Sequence, residues 1–398
     1  MQLPRGKTTG WRFAAVFACA LCLLATLAVL AGCGSLGTTN NTTPPPPTHF
    51  FLVADSVNNR VVIYSSPFSN GENATTVLGQ ANFTSSTAAL TAAGMNEPSQ
   101  AIEDGSGNVY VTDSINNRVL QFKAPLSSGM NASVVIGQPD FVTGTANTTQ
   151  NGLNSPVGMA FDASGNLWVT DLGNSRILEY HPPFTTNMNA SLVLGQPDFL
   201  TAVPATTSSG LFLPFFLTFD ASGDLWASDA GNNRVLEYKP PFVNSMGASV
   251  VVGQPDFVSF LAATTASGLN FPTGVAFDSS GNLWIGDTSN NRVLAFTTPL
   301  STGMSASLVL GQANFTSSNT AITQNGLSSP YGIAFDSSGN LGVADFGNNR
   351  TLGFAPPFTT NMNAGLVLGQ ANYTSSAGAV TAAGQISPTA VSAAVGTN

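Results

Sequence analysis

At 398 residues the chain is long enough for one large domain or two or three ordinary ones; only 8% of it is charged, while glycines number 40 and prolines 24. That composition suits many short strands joined by tight turns, and Glu, Lys and Arg are too scarce for long surface helices. Acidic residues outnumber basic ones 20 to 11, which opposes nucleic-acid binding, because that needs clustered Lys and Arg to displace counterions.

Residues 1–33 read as an export signal to be set apart from the fold. Arg5, Lys7 and Arg12 form a positive segment, Phe13 to Leu30 an apolar run, and Leu30-Ala31-Gly32-Cys33 follows. These four resemble the lipobox of bacterial lipoproteins, in which small residues admit a peptidase and the cysteine thiol takes a diacylglyceryl group. Lipid attachment at Cys33 is the expectation. An ordinary signal peptide or an uncleaved anchor is the alternative, since the run approaches the roughly 20 residues that span a bilayer. Without the signal, eight basic residues face 20 acidic ones, a net charge of −12. The three cysteines are Cys19, Cys22 and Cys33, so the part expected to fold has neither a disulfide framework nor a thiolate metal site. Residues 34–48, rich in Thr and Asn and ending in Pro44-Pro45-Pro46-Pro47, read as a stiff polyproline II tether that holds a domain off the membrane. The likeness to lipoproteins implies a lipid-anchored place in the bacterial cell envelope. With Gly34 after the cysteine, it implies the outer membrane if the organism is Gram-negative.

From there to the C-terminus the chain repeats itself. Asp-x-x-Asn-(Asn/Ser)-Arg starts at Asp55, Asp113, Asp171, Asp229, Asp287 and Asp345, each 58 residues after the last. Gly-Gln-(Pro/Ala)-(Asp/Asn)-(Phe/Tyr) keeps the same period from Gly79 to Gly369. In the copy around Asp171 four strands are expected: 157–162, 167–170, 176–180 and 190–194. Gly165-Asn166 supply one turn between them and the polar residues 171–175 another. Four short antiparallel strands per repeat make a propeller blade. The first copy begins at Phe50-Phe51-Leu52-Val53, which matches a second strand. The chain ends on Ile386-Ser387-Pro388-Thr389-Ala390-Val391, which matches a first strand. The two deficits are complementary, so the C-terminal strand is expected to complete the first blade and close an all-β, six-bladed ring over 49–398 without open edges.

Strings such as Pro330-Tyr331-Gly332-Ile333-Ala334-Phe335-Asp336-Ser337-Ser338-Gly339-Asn340-Leu341 and Asp229-Ala230-Gly231-Asn232-Asn233-Arg234-Val235-Leu236 resemble the NHL-repeat family of β-propellers across nearly all of 48–398. The resemblance implies a binding platform or scaffold, and less often an enzyme. Some propellers of this kind are lyases or lactone hydrolases that hold a metal in the channel through His and acidic ligands.

A residue present in every blade serves folding. The repeated Asp is expected to accept hydrogen bonds from turn amides, and the Arg to pair with that Asp or with carbonyls of the next blade. Phe83, Phe141, Phe199, Phe257, Phe315 and Tyr373 read as packing between blades, as do Trp168, Trp226 and Trp284. Function should break the symmetry, and three departures do so. Phe212, Leu213, Phe215 and Phe216, with Phe260, Leu261, Phe271 and Tyr331, form an apolar set where other blades carry Asn, Ser, Thr or Gly. They are expected either on one face near the channel, as a binding surface, or folded inward as a plug. Lys123, His181 and Lys239 share one position in three consecutive blades and suggest a small positive patch. Glu97 and Glu103 flank a first strand, and Glu103 stands where other blades have Phe161, Phe219, Phe277 and Phe335.

Two readings follow. The leading one is a non-catalytic, tethered propeller that binds a protein or glycan through the face carrying Phe212, Phe215, Phe216, Phe260, Phe271 and Tyr331, with no cofactor and no metal. The alternative is an envelope hydrolase or lyase with a calcium ion in the channel near Glu97 and Glu103. Against it, the expected domain has only His49 and His181, too few for a zinc site or a Ser-His pair at the channel, and one or two acids make no metal cage.

Overall fold

The computed structural model describes residues 49–395. The expected export signal, Cys33 and the expected tether lie outside them. The described residues form six four-stranded antiparallel sheets arranged as the blades of a propeller. In the third blade the strands are Pro156–Phe161, Leu167–Asp171, Arg176–Tyr180 and Leu192–Leu194, within one residue of the expected bounds except at the start of the last, which lies two residues later. The innermost strands, Pro98–Glu103, Pro156–Phe161, Pro214–Phe219, Pro272–Phe277, Pro330–Phe335 and Pro388–Val395, each touch the next and line the channel as a closed ring.

Closure is made as the ends of the sequence require. Pro388–Val395 pairs antiparallel with His49–Asp55, Val53 opposite Val391 and Ala54 opposite Ala390. Blade 1 thus takes its inner strand from the C-terminus and the other three from the N-terminus; blades 2 to 6 follow in chain order. The outer strand of each blade is also covered. In blade 2, Val135 donates its N–H to Thr186 Oγ1 and accepts from the Asn187 N–H, both from a loop of blade 3. Across the closing seam Asn70 and Gly71 treat Val367 of blade 6 the same way. No blade presents the bare edge that would template pairing with another chain.

One buried ion pair recurs in every blade. Arg Nε donates to Asp Oδ2 at 2.7 Å in all six, with both side chains fully buried. In blade 2 the same carboxylate accepts from Asn116 Nδ2 and the Asn96 N–H. Arg118 spends its remaining donors on the carbonyls of Thr91 and Gly94, in the connection arriving from blade 1, and of Phe141, in the connection leaving for blade 3. The Arg thus binds its own Asp as expected, while the carbonyls it reaches lie in the two connections flanking its blade and not in the next blade. We call the side of the ring carrying these pairs the staple face. Blade 1 joins the chain ends in this manner, Arg60 reaching the carbonyls of Thr381 and Gly384.

Aromatic side chains glue the blades. Trp168 meets Phe219 of the next inner strand edge-on at 5.9 Å, Trp226 meets Phe277 at 5.7 Å, and Trp284 meets Phe335 at 5.6 Å. Blade 1 lacks this contact on both sides. Leu52 replaces the tryptophan towards Glu103, and Gly342 replaces it towards blade 1, where Ala393 stands in place of the phenylalanine. At the closing seam a buried polar relay appears instead. Gln385 Nε2 donates to Tyr64 Oη, and Thr351 Oγ1 donates to Gln385 Oε1, both at 3.1 Å. Val293 and Leu327 hold the corresponding positions one repeat earlier. Tyr180 and Tyr238, which repeat Tyr64 but face no glutamine, have buried hydroxyls without a partner.

Candidate binding site

Each inner strand starts on the staple face at a proline, preceded by a residue in the left-handed region. Four of these are Glu97, Ser155, Ser329 and Ser387; in blades 4 and 5 they are Leu213 and Phe271, at φ 52° and 53°. Left-handed backbone is costly for bulky side chains, so a phenyl ring at Phe271 is not there to ease the turn. Its N–H is held by Asn233 Oδ1 at 2.7 Å.

The aromatic departures converge here. Phe215 lies 5.8 Å from Phe271 and 5.5 Å from Tyr331, ring centre to ring centre and edge-on, and Tyr331 stacks on Phe346 at 4.6 Å. The four rings come from blades 4, 5 and 6 and are half-buried. They form an apolar arc along blades 4 to 6, while at the same strand positions blades 1, 2 and 3 carry Ser387 and Thr389, Glu97 and Ser99, and Ser155 and Val157. Burial pushes the Tyr331 hydroxyl above its ordinary pKa.

The other expected site residues are placed differently. Phe216 is only 3% exposed and belongs to a buried cluster with Val157, Val275 and Ala390, drawn from four inner strands. It fills the interior instead of facing a partner, because the side chain alternates with Phe215 along the strand. Phe212 lies against Gly231, where an added Cβ would fall 2.4 Å from its ring. Phe260 is half exposed on the connection leaving blade 4, and its carbonyl accepts from the same Asn233 that holds Phe271. Phe346 was not among the expected residues. Its signal is there in the sequence: Ser56, Ser114, Leu172, Ala230 and Thr288 are its counterparts.

The opposite face opens into a channel cavity of about 380 Å³ to which all six blades contribute. Its walls include Phe161, Phe277 and Phe335, with Glu103, Gln100, Thr218 and Ser392 as polar members. Glu103 and Glu97 stand at opposite ends of one strand, six residues or roughly 20 Å apart. Strand rise alone keeps the two carboxylates from sharing one calcium ion.

Of the three basic residues, two lie against carboxylates of their own blades. His181 Nε2 lies 3.2 Å from Glu179. Lys239 Nζ lies 2.9 Å from Asp224 and 3.1 Å from Glu237, and hydrogen bonds to Asp224 and then Glu237 push its pKa up to about 12. Asp220, Asp224 and Glu237 are the three carboxylates among the described residues close enough to hold a metal together. Asp224 replaces the asparagine that in other blades donates to the preceding Asp, as Asn166 does to Asp162. The ammonium of Lys239 already supplies the cation.

The NHL repeat family model matches residues 153–180 and 269–296, two stretches in the same register of blades 3 and 5. No curated protein matches the chain in sequence. Among solved structures, a streptogramin B lyase is 16% identical, with 78% of this chain and 81% of that one covered and a TM-score of 0.42. Virginiamycin B lyase from Staphylococcus aureus is 14% identical over 75% of each chain, with a TM-score of 0.42. A protein of unknown function from Bacteroides caccae is 9% identical over 87% of this chain and 98% of that one, with a TM-score of 0.52. At such identities the likeness concerns the fold alone.

Proposed function

We propose, from the premise that this chain is an NHL-repeat β-propeller, that it acts as a non-catalytic binding module, held in the cell envelope by a lipid on Cys33, which takes a protein or glycan partner at the staple face. The observation that carries this is the aromatic arc of Phe215, Phe271, Tyr331 and Phe346. Half-exposed rings beside hydroxyl-bearing neighbours suit a surface that must be wet when free and covered when bound. The left-handed Phe271 supports the same reading, since serine serves that position in three other blades.

The test uses the full chain as bait against solubilised envelope and an oligosaccharide array. Phe271→Ser and Phe346→Ser are compared with the parent, because serine occupies each of those positions in another blade and folding should survive. Loss of the captured partner with an unchanged melt supports the reading. Unchanged capture by both variants removes it. The anchor is read separately: Cys33→Ala should release the protein into the soluble fraction, and retention in the membrane would refute lipid attachment there.

A further inference from the structure

Outside the mouth, the six connections on the staple face provide an internal control. Each starts with the same Gly-Gln and follows the same path, but blades 2, 3 and 4 continue Pro-Asp-Phe-(Val/Leu), and blades 5, 6 and 1 continue Ala-Asn-(Phe/Tyr)-Thr. The turn itself needs only one side-chain oxygen. Asp140 Oδ1 accepts the N–H groups of Val142 and Thr143; Asn314 Oδ1 accepts that of Thr316 equally well. The negative charge of Asp140, Asp198 and Asp256 is therefore surplus to the fold. So are the apolar side chains beside them. Val142, Leu200 and Val258 are 68%, 72% and 66% exposed, where Thr84, Thr316 and Thr374 sit in the other three blades.

Among the described residues nine large apolar side chains are exposed, and six of them lie in these three consecutive connections, Val203, Phe260 and Leu261 completing the set. Folding gains nothing from large apolar groups left in water, and such a grouping on one arc marks a surface that is covered in use. Hydrogen bonds from Thr143 and Val142 hold the Asp140 carboxyl below the usual range, and those from Leu200 and Thr201 do the same for Asp198. The arc thus stays ionised at neutral pH.

We infer that the rim of blades 2 to 4 docks a cationic, amphipathic protein segment, with Lys or Arg meeting Asp140, Asp198 and Asp256 and apolar side chains covering Val142, Leu200 and Val258. Charge complementarity selects this occupant: an acidic chain that places a carboxylate beside an exposed apolar group in each of three consecutive blades complements a segment carrying both basic and apolar side chains. The inference carries the reading of the staple face outward from the mouth and uses none of the mouth residues.

The experiment measures fluorescence anisotropy of a labelled peptide of alternating Lys and Leu at physiological ionic strength, with Lys-Ser and Glu-Leu peptides and neutral oligosaccharides as comparison probes. The intact protein should bind Lys-Leu best. D140N/D198N/D256N and V142T/L200T/V258T, which copy the other blades, should each weaken it about tenfold without shifting the melt. A charge-neutral swap joins D140N/D198N/D256N to N82D/N314D/N372D; it keeps the net charge and moves the carboxylates to the threonine side. It should bind as weakly as D140N/D198N/D256N. Binding restored by the swap would mean net charge alone attracts the peptide and overturns the inference. So would equal binding of all peptides, or an oligosaccharide bound through the arc in place of Lys-Leu. None of these outcomes depends on whether Phe271→Ser loses its partner, so the two readings fail separately.

Discussion

The Asp–Arg staple and the first residues of the connection beyond it lie a few positions apart on the same face, yet they obey different rules. The staple is invariant in all six blades, fully buried, and hydrogen-bonded on every side. The connection keeps one backbone path while its exposed residues split three and three. Where six copies must agree, burial leaves no freedom: an Arg taken from water needs every donor satisfied, and any change strands a charge. Where the copies differ with no change of backbone, the fold is indifferent and the difference is available to a partner. Repetition thus separates residues the fold requires from residues it leaves free to vary, by comparison within one chain.

The severest way to break this contrast is to open the ring. Deleting residues 388–398 removes the inner strand of blade 1 and exposes His49–Asp55 as an edge. Loss of a cooperative melt, with aggregation on gel filtration, is expected. Next is the staple. Arg234→Ala leaves the buried Asp229 carboxylate unpaired and should cost about 3–5 kcal/mol in denaturant titration. Asp256→Asn, on the connection that leaves the same blade, should change stability by no more than about 0.5 kcal/mol.

The closing seam sharpens the comparison, because only there is the buried inter-blade position polar. Gln385→Leu strands the hydroxyls of Tyr64 and Thr351 and should cost about 1–3 kcal/mol. Adding Tyr64→Phe and Thr351→Val should recover most of it, since the seam one repeat earlier carries Val293, Leu327 and Phe354 at those positions. A triple variant as unstable as the single one would show that the relay is not what the seam loses. Smallest of all, Tyr180→Phe and Tyr238→Phe remove hydroxyls that have no partner and should be neutral or slightly stabilising in the same titration.

The aromatic arc was legible in part. Phe215, Phe271 and Tyr331 could be brought together on paper because consecutive blades carry them at the start of one strand. Phe216 could not be placed, since adjacent residues of a strand point to opposite sides and no pattern said which would be buried. Phe346 hid inside the staple motif, where the invariant Asp and Arg draw attention away from the variable residue between them. The pairing of Lys239 with Asp224 and Glu237 was equally hidden, because it joins a turn to the start of a loop 15 residues on. The distance between Glu97 and Glu103 was legible, and strand rise alone separates them.

By itself the sequence determined the period, the number of blades, the order of strands and the joining of its own ends. These follow from local patterns repeated in register, and short-range hydrogen bonding and alternation read such patterns directly. Tertiary structure alone decided which phenyl rings face water, which charges are already neutralised, and that the closing seam is held by a polar relay. Each of those depends on groups dozens to hundreds of residues apart, whose meeting is set by how blades pack and not by any spacing along the chain.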